Sequence, residues 1–341
     1  MHEQRSTRHL APGIAVALGV ALLAELLHLA QMRAGHLILD ALVLAILLGM
    51  AMRSLRPLPA GWAPGIAFSA KTLLEIAIVL LGASVDFREV ARGGATLVAG
   101  IGLTVAATLV VGSWIGRRAG LEPKHALLVA FGNAICGNSA IAALAPVIGA
   151  KREHVASAIA FTAVLGVLVV VGLPFLMPVA HLSTYQYGVV AGLTVYSVPQ
   201  VLAAAFPVSA LSGQVGTLVK LVRVLFLGPM LVGLSLMARR DARQATAAGA
   251  PRFELLTLLP WFVIGFVLLS MLRTLGVLPA AQAAPFRTAS HWLTLVAMAA
   301  LGLGVDVRGL RHVGRPVVLT VVVSLLVLLL LSLGVAKLTG R

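Results

Sequence analysis

The chain has 341 residues, of which 60% are hydrophobic and only 11% charged, with a mean hydropathy of +1.03. A soluble domain carries about a quarter charged residues, so the composition excludes a soluble globular protein and leaves an integral membrane one. The net charge of +15 implies no nucleic-acid partner, because the basic residues sit in short loops between apolar runs.

Runs long enough to span a bilayer, roughly 17–25 residues each, fall near 10–30, 37–52, 66–85, 94–116, 125–148, 155–178, 186–206, 217–238, 255–275, 288–305 and 314–336. The first is basic and then apolar, like a signal peptide. Glu25 and His28 interrupt its apolar stretch and no small-residue cleavage site follows, so it reads as a first span. Glu25 and His28 share a face and are expected to hydrogen-bond each other. In the third run, Lys71 and Glu75 stand at i and i+4 and are expected to pair.

That run ends in Leu81-Gly-Ala-Ser-Val-Asp86-Phe-Arg88, which recurs 220 residues later as Leu301-Gly-Leu-Gly-Val-Asp306-Val-Arg308, with Gly94 and Gly314 in the same register. Asp86 and Asp306 read as exposed caps of the segments that follow. Of the 26 basic residues, 15 fall on one side when the N-terminus is cytoplasmic, among them Arg53, Arg117, Arg239 and Arg311, as the positive-inside rule expects. The two copies then run in opposite directions, the mark of an inverted repeat. Approximate halves are 66–178 and 185–338, within one integral membrane domain over 1–341.

Two runs are broken. In 125–148, Gly132, Asn133, Cys136, Gly137, Asn138 and Ser139 interrupt an otherwise lipid-buried helix. In 186–206, Pro199 removes a backbone donor, beside Thr194, Tyr196, Ser197 and Gln200. Irregular backbone in hydrocarbon needs internal partners or a water-filled cavity, and paired interruptions in two halves point to a transporter's substrate site. As crossing helices the two runs share a direction; as re-entrant hairpins the first enters from the cytoplasm and the second from outside. The hairpin version moves Lys151 and Arg152 to the cytoplasm and leaves the basic-free stretch 179–187 outside, but segment length does not decide. The fold class is therefore an all-α polytopic membrane protein of about 9–11 spans, with an inverted repeat and two interrupted segments.

Helix ends at mid-depth offer free N–H groups and a positive partial charge. Asn133, Asn138 and Ser139 add polar side chains, while Gly132 and Gly137 admit close approach. Lys220 and Arg223, three apart on one helical face, open the eighth run and either snorkel to the headgroups or face a cavity. In the cavity reading, Asn133, Gly137, Asn138, Ser139, Tyr196, Ser197 and Gln200 bind a small anion whose charge Lys220 and Arg223 neutralise. Gly132, Cys136 and Pro199 shape the two tips.

The lone cysteine, Cys136, excludes an intramolecular disulfide and reads as a small buried residue. The nine histidines form no metal motif and no G-x-x-x-x-G-K-[ST] is present, so neither a metal, a cofactor nor ATP-driven transport is expected. Ser139 and Cys136 lack an identifiable base, so the chain is not read as an enzyme.

The stretch Leu73–Gly82, the Ile135-Cys136-Gly137-Asn138-Ser139-Ala140 box ending in Ala145-Pro146-Val147, Val198–Ala205, Lys220-Leu-Val-Arg223 and Ala300–Gly304 resemble the YeiH-type family of bacterial inner-membrane proteins, in order over roughly residues 40–330. The resemblance implies a multi-pass inner-membrane protein, distantly similar to bile-acid-symporter and sodium/proton-antiporter folds. It also carries the family's sulfate-exporter label. Members commonly show His-Glu where this chain has Tyr196-Ser197, so coupling through that carboxylate does not carry over.

The residues and the resemblance together point to a secondary transporter of a small anion, sulfate or a sulfonate-like anion, working by export and coupled to H⁺ or Na⁺. A homodimer is expected by analogy of architecture alone. A cation/proton antiporter needs a buried Asp or Glu near the tips, and none lies between Glu153 and Asp241. A sensor or assembly subunit without flux, and a channel, remain as other classes.

Overall fold

The computed structural model describes residues 3–34, 39–85, 94–242, 261–305 and 314–340. Among these residues all regular elements are helical. Six helical stretches are long and apolar enough to cross a membrane. Their outer surfaces carry exposed Leu22, Leu26, Leu103, Trp114 and Leu330, and Leu268 is exposed on a shorter apolar helix. Apolar side chains facing outward along whole helices are what a lipid-exposed surface requires, since every backbone polar group is satisfied within the helix.

The helices are α1 (Glu3–Arg33), α2 (Ala41–Leu55), α3 (Ala63–Phe68), α4 (Leu74–Gly82), α5 (Gly94–Arg118), α6 (Pro123–Ala134), α7 (Asn138–Ile148), α8 (Arg152–Gly172), α9 (Leu176–Val179), α10 (Thr184–Thr194), α11 (Val198–Ala205), α12 (Ala210–Leu225), α13 (Leu227–Ala242), α14 (Trp261–Thr274), α15 (Ala280–Leu303) and α16 (Arg315–Thr339). Asp86 and Asp306 lie outside the described residues.

Glycines set how closely the helices approach. A methyl group at Gly116 would lie 3.2 Å from Thr320 Cγ2, and one at Gly100 would lie 2.8 Å from Val335. So α5 and α16 run antiparallel, and they define two ends of the bundle. The proximal end holds Arg118 and Arg315; the distal end holds Gly94 and Thr339. A methyl at Gly302 would meet Ile46 O at 2.2 Å, and one at Gly49 would meet Ala299 O at 2.4 Å. Backbone cannot rotate away as a side chain can. Gly302→Ala is therefore expected to lower the thermal unfolding midpoint of the detergent-purified protein, at about 1–3 kcal/mol for an overpacked contact. An unchanged midpoint would show that α2 and α15 part without cost.

Both interrupted segments fold back on themselves. In the second, α10 runs alongside α12 in the same direction: a methyl at Gly188 would sit 2.8 Å from Ser212 O, and one at Gly192 2.5 Å from Gly216 O. Helix α11 then returns, so that Tyr187 Oη donates to Ala204 O at 2.8 Å. Gln186 packs on Gly340, which places the open ends of this hairpin at the distal end. In the first, Lys124 Nζ donates to Gly149 O at 3.3 Å, and Lys151 and Glu122 form an ion pair of 2.8 Å. Ala126 lies against Gly116, so this hairpin opens at the proximal end. Beside its base, His125 and His154 stack with ring centroids 4.4 Å apart, and Ser157 Oγ lies 3.0 Å from His125 Nε2.

The Glu122–Lys151 pair is more than half exposed on both sides, so it contributes little. The hydrogen bond from Lys151 holds the Glu122 carboxyl below its ordinary range and raises Lys151. For Glu122 the contribution is present above the unfolded carboxylate value and fades as pH falls through the lowered folded one, below about pH 4. For Lys151 it is present below the ordinary lysine value and fades as pH rises through the raised one. Glu122→Gln is expected to leave the unfolding midpoint at neutral pH unchanged. A clear drop in a melting scan would mean that the pair anchors the hairpin.

Two expected side-chain pairs are absent. Glu75 Oε2 accepts from Trp261 Nε1 at 2.9 Å, and no Lys71–Glu75 ion pair forms among the described residues. Lys71 lies in a π-turn over Ser69–Leu73, whose wider winding moves i and i+4 off a common face. His28 Nδ1 lies 3.4 Å from Leu39 O rather than against Glu25. Glu25 Oε2 is buried with no hydrogen-bond partner among the described residues. Just ahead of α2, Leu39 N–H donates to Gln31 Oε1 at 3.0 Å, next to the same stretch of α1.

Candidate functional site

The tips of the two hairpins meet inside the bundle, where α12 passes them. A methyl at Gly137 would lie 3.3 Å from Tyr196 Cβ. The sequence pattern starts this span at 217; the helix starts at Ala210. Ser212, Gly213 and Gln214 lower the hydropathy of its first turns, but they pack inward: Ser212 Oγ donates to Thr184 O at 2.8 Å, and Gln214 Nε2 to Ser84 O at 3.1 Å. Lys220 and Arg223 therefore lie beyond the opening turns of the helix with no exposed surface, and neither snorkels.

Their donors account for the broken helix ends. The last four carbonyls of a helix lack intrahelical partners. In α6, Phe131 O accepts from Ile135 N at 3.2 Å, and Gly132 O from Gly137 N at 2.8 Å. The other two, Asn133 O and Ala134 O, accept from Arg223 Nη2 and Nε, the latter at 2.7 Å. Arg223 Nη1 reaches across to Leu193 O and, at 3.3 Å, to Val195 O. Lys220 Nζ donates to Ile135 O at 2.6 Å and Val195 O at 2.9 Å. Two cations thus bind the negative ends of α6 and α10 together, as the helix dipole favours. No carboxylate pairs with either among the described residues.

The opposite, positive ends differ. Helix α11 is closed: Ser197 Oγ accepts from Gln200 N at 3.4 Å, Gln200 Oε1 accepts from Ser197 N at 3.2 Å, and Pro199 has no N–H to satisfy. This reciprocal arrangement is a capping box. Helix α7 is open. Its N-cap is Gly137, at φ 66° and ψ −123°, which has no side chain to offer. No acceptor takes the Asn138 and Ser139 N–H groups among the described residues, and both side chains are exposed.

The structure thus brings together Gly132, Asn133, Cys136, Gly137, Asn138, Ser139, Tyr196, Ser197, Pro199, Gln200, Lys220 and Arg223 at one junction, in unequal roles. Asn133 is buried, with Nδ2 donating to Val321 O at 3.2 Å and Oδ1 unpartnered. Tyr196 is buried with an unpartnered hydroxyl. Cys136 is half-buried and free. Helix α8 supplies residues that sequence reasoning missed. Thr162 Oγ1 donates to Asn138 Oδ1 at 2.8 Å, and Gln200 fills the space beside Gly166, where a methyl would meet Nε2 at 2.5 Å. The available signal was the recurrence of Ser157, Thr162 and Gly166 along an otherwise apolar helix.

A family model described as conserved hypothetical protein 698 matches residues 12–321. A UPF0324 membrane protein of Bradyrhizobium diazoefficiens is 50% identical over 327 residues, covering 95% of this chain and 92% of the relative. One of Agrobacterium fabrum is 51% identical over 331 residues, covering 97% and 93%. One of Bacillus cereus is 32% identical over 302 residues, covering 89% and 87%. No solved structure matches the chain significantly.

Proposed function

The chain belongs to the conserved hypothetical protein 698 family of multi-pass bacterial membrane proteins, and from that premise we propose that it is a secondary transporter of a small anion. One observation carries the reading. Two fully buried cations hold the hairpin tips without a carboxylate counter-ion, next to the one helix N-terminus of the junction left uncapped among the described residues. Buried unpaired cations are costly in a low-dielectric interior, and an anion at Asn138–Ser139 relieves that cost.

In this reading the anion accepts from the Asn138 and Ser139 N–H groups and their side chains, with Lys220 close by. Arg223 spends its donors on carbonyls and acts by holding the tips. Gly137 and Tyr196 fix their approach. The hairpins open at opposite ends of the bundle, which supports the inverted halves and the re-entrant version of both segments. The membrane is the bacterial inner membrane with the N-terminus cytoplasmic, as the loop charges direct. Sulfate or a sulfonate-like anion, moved outward with H⁺ or Na⁺ coupling, is the substrate class we assign, and a second copy of the chain is the partner.

The test is thermal stabilisation of purified protein by sulfate, methanesulfonate, phosphate, chloride and Na⁺, for wild type, Asn138→Ala and Lys220→Gln. Glutamine keeps two N–H donors for Ile135 O and Val195 O while removing the charge. The expected result is saturable stabilisation by one anion, weakened about tenfold or more in both variants, as loss of a charge-assisted contact implies. Stabilisation by Na⁺ or pH alone would replace this reading with an antiporter. No ligand effect in well-folded protein would favour a sensor or assembly subunit.

A further inference from the structure

A cavity of about 420 Å³ lies on the distal side of the tip junction, where α11 runs from Gln200 at the tip to Leu202 in the cavity wall. One wall is apolar: Leu42, Leu81, Leu202, Phe206 and Ala210, from α2, α4, the returning helix of the second hairpin and the start of α12. The other wall is polar: Asp40 ahead of α2, and Arg287, Thr288 and His291 on α15. Residues 287, 288 and 291 fall on one face of that helix by their spacing.

The polar wall carries both signs of charge, and they do not meet. Asp40 and Arg287 form no ion pair among the described residues. Asp40 Oδ1 accepts from Leu42 N at 2.9 Å as the cap of α2, and no donor among the described residues takes Oδ2. Thr288 Oγ1 donates to Ala284 O at 3.2 Å, so its hydrogen is engaged. The Arg287 and His291 side chains are exposed, and no acceptor takes their donors among the described residues.

We propose that this cavity is a binding site for a zwitterion with an apolar body, of the class of apolar amino acids. The ligand's carboxylate takes Arg287 and His291, its ammonium takes Asp40 Oδ2, and its side chain covers Leu202 and Phe206. The volume is in the range of small-molecule sites, which pair an apolar lining with a few placed polar groups, and a two-chain lipid does not fit within it. A simple anion would leave Asp40 unpaired, and a simple cation would leave Arg287 unpaired. The proposal uses none of the junction's polar groups and does not depend on the transport reading.

The experiment is a thermal-shift titration of the purified full chain with L-phenylalanine, N-acetyl-L-phenylalanine and L-phenylalaninamide. The acetyl compound lacks the ammonium and the amide lacks the carboxylate. L-Phenylalanine is expected to stabilise saturably, with each analogue weaker by about tenfold or more, the effect of losing a hydrogen bond to a charged group. Asp40→Asn keeps the α2 cap, since asparagine caps as well as aspartate. It should reduce L-phenylalanine to the level of the acetyl analogue. Arg287→Gln, at an exposed position, should reduce it to the level of the amide. Arg315→Gln removes the same charge elsewhere on the surface and should change nothing. The proposal is overturned if L-phenylalanine has no saturable effect, if the three compounds act equally, or if Asp40→Asn and Arg287→Gln leave the ranking intact.

Discussion

Arg223→Met is expected to cause the largest loss of stability of any single substitution at the junction. Arg223 satisfies Asn133 O, Ala134 O and Leu193 O, none of which has another partner among the described residues, and it shares Val195 O with Lys220. A buried carbonyl left without a donor costs about 1–3 kcal/mol. Three of them put the loss at about 3 kcal/mol or more, a large share of the stability of a typical protein. Water does not relieve them, because Arg223 has no exposed surface. Lys220→Met should cost less, since it orphans Ile135 O alone while Val195 O keeps Arg223. Arg223→Lys should fall between, because one ammonium cannot span both tips as a planar guanidinium does. Thermal unfolding midpoints of the three variants in one detergent measure the order directly. A wild-type midpoint for Arg223→Met would mean that the tips close their own carbonyls and that the guanidinium is not what joins them.

The sequence shows where the backbone breaks more readily than what mends it. Gly132, Asn133 and Gly137 in one apolar run, and Pro199 beside Ser197 in another, are local signals, and both breaks fall where those residues stand. The hairpin turn itself is not legible there, because a run of about 20 apolar residues has the same length whether it crosses or returns. The fold-back shows in two hydrogen bonds, Tyr187 to Ala204 and Lys124 to Gly149. The start of α12 is hidden for a compositional reason. Ser212 and Gln214 look like loop residues, yet their partners, Thr184 O and Ser84 O, lie 28 and 130 positions away. That shift changes the meaning of Lys220 and Arg223, from the opening residues of a span to its interior. Their partners on the first tip are 85 to 90 residues distant, and hydrophobic periodicity carries no record of such a bond. The Lys71–Glu75 pair fails on a smaller scale, since a single π-turn is enough to undo an i, i+4 argument.

Gly137→Ala is expected to have the second largest effect, and it separates the shape of the tip from its charge. At φ 66° and ψ −123° an L side chain meets backbone strain of about 1–3 kcal/mol. The added methyl would also lie 3.3 Å from Tyr196 Cβ on the opposite tip. Gly94 supplies the control. It too has positive φ, 49°, but a methyl there would meet nothing within 4 Å among the described residues. Gly94→Ala should therefore carry strain alone and keep any anion response. Gly137→Ala should lower the unfolding midpoint further and lose that response, because the open N-terminus of α7 begins at the next residue. Tyr196→Gly removes the crowding Cβ at 3.3 Å and leaves the strain at position 137. Combined with Gly137→Ala it should cost less than the sum of the two single changes, the sign of a direct contact between the substituted positions. Strict additivity in the double variant would mean that the tips do not press on each other. Gly137 would then act through its own backbone only, and the coupling of the two hairpins would rest on Lys220 and Arg223.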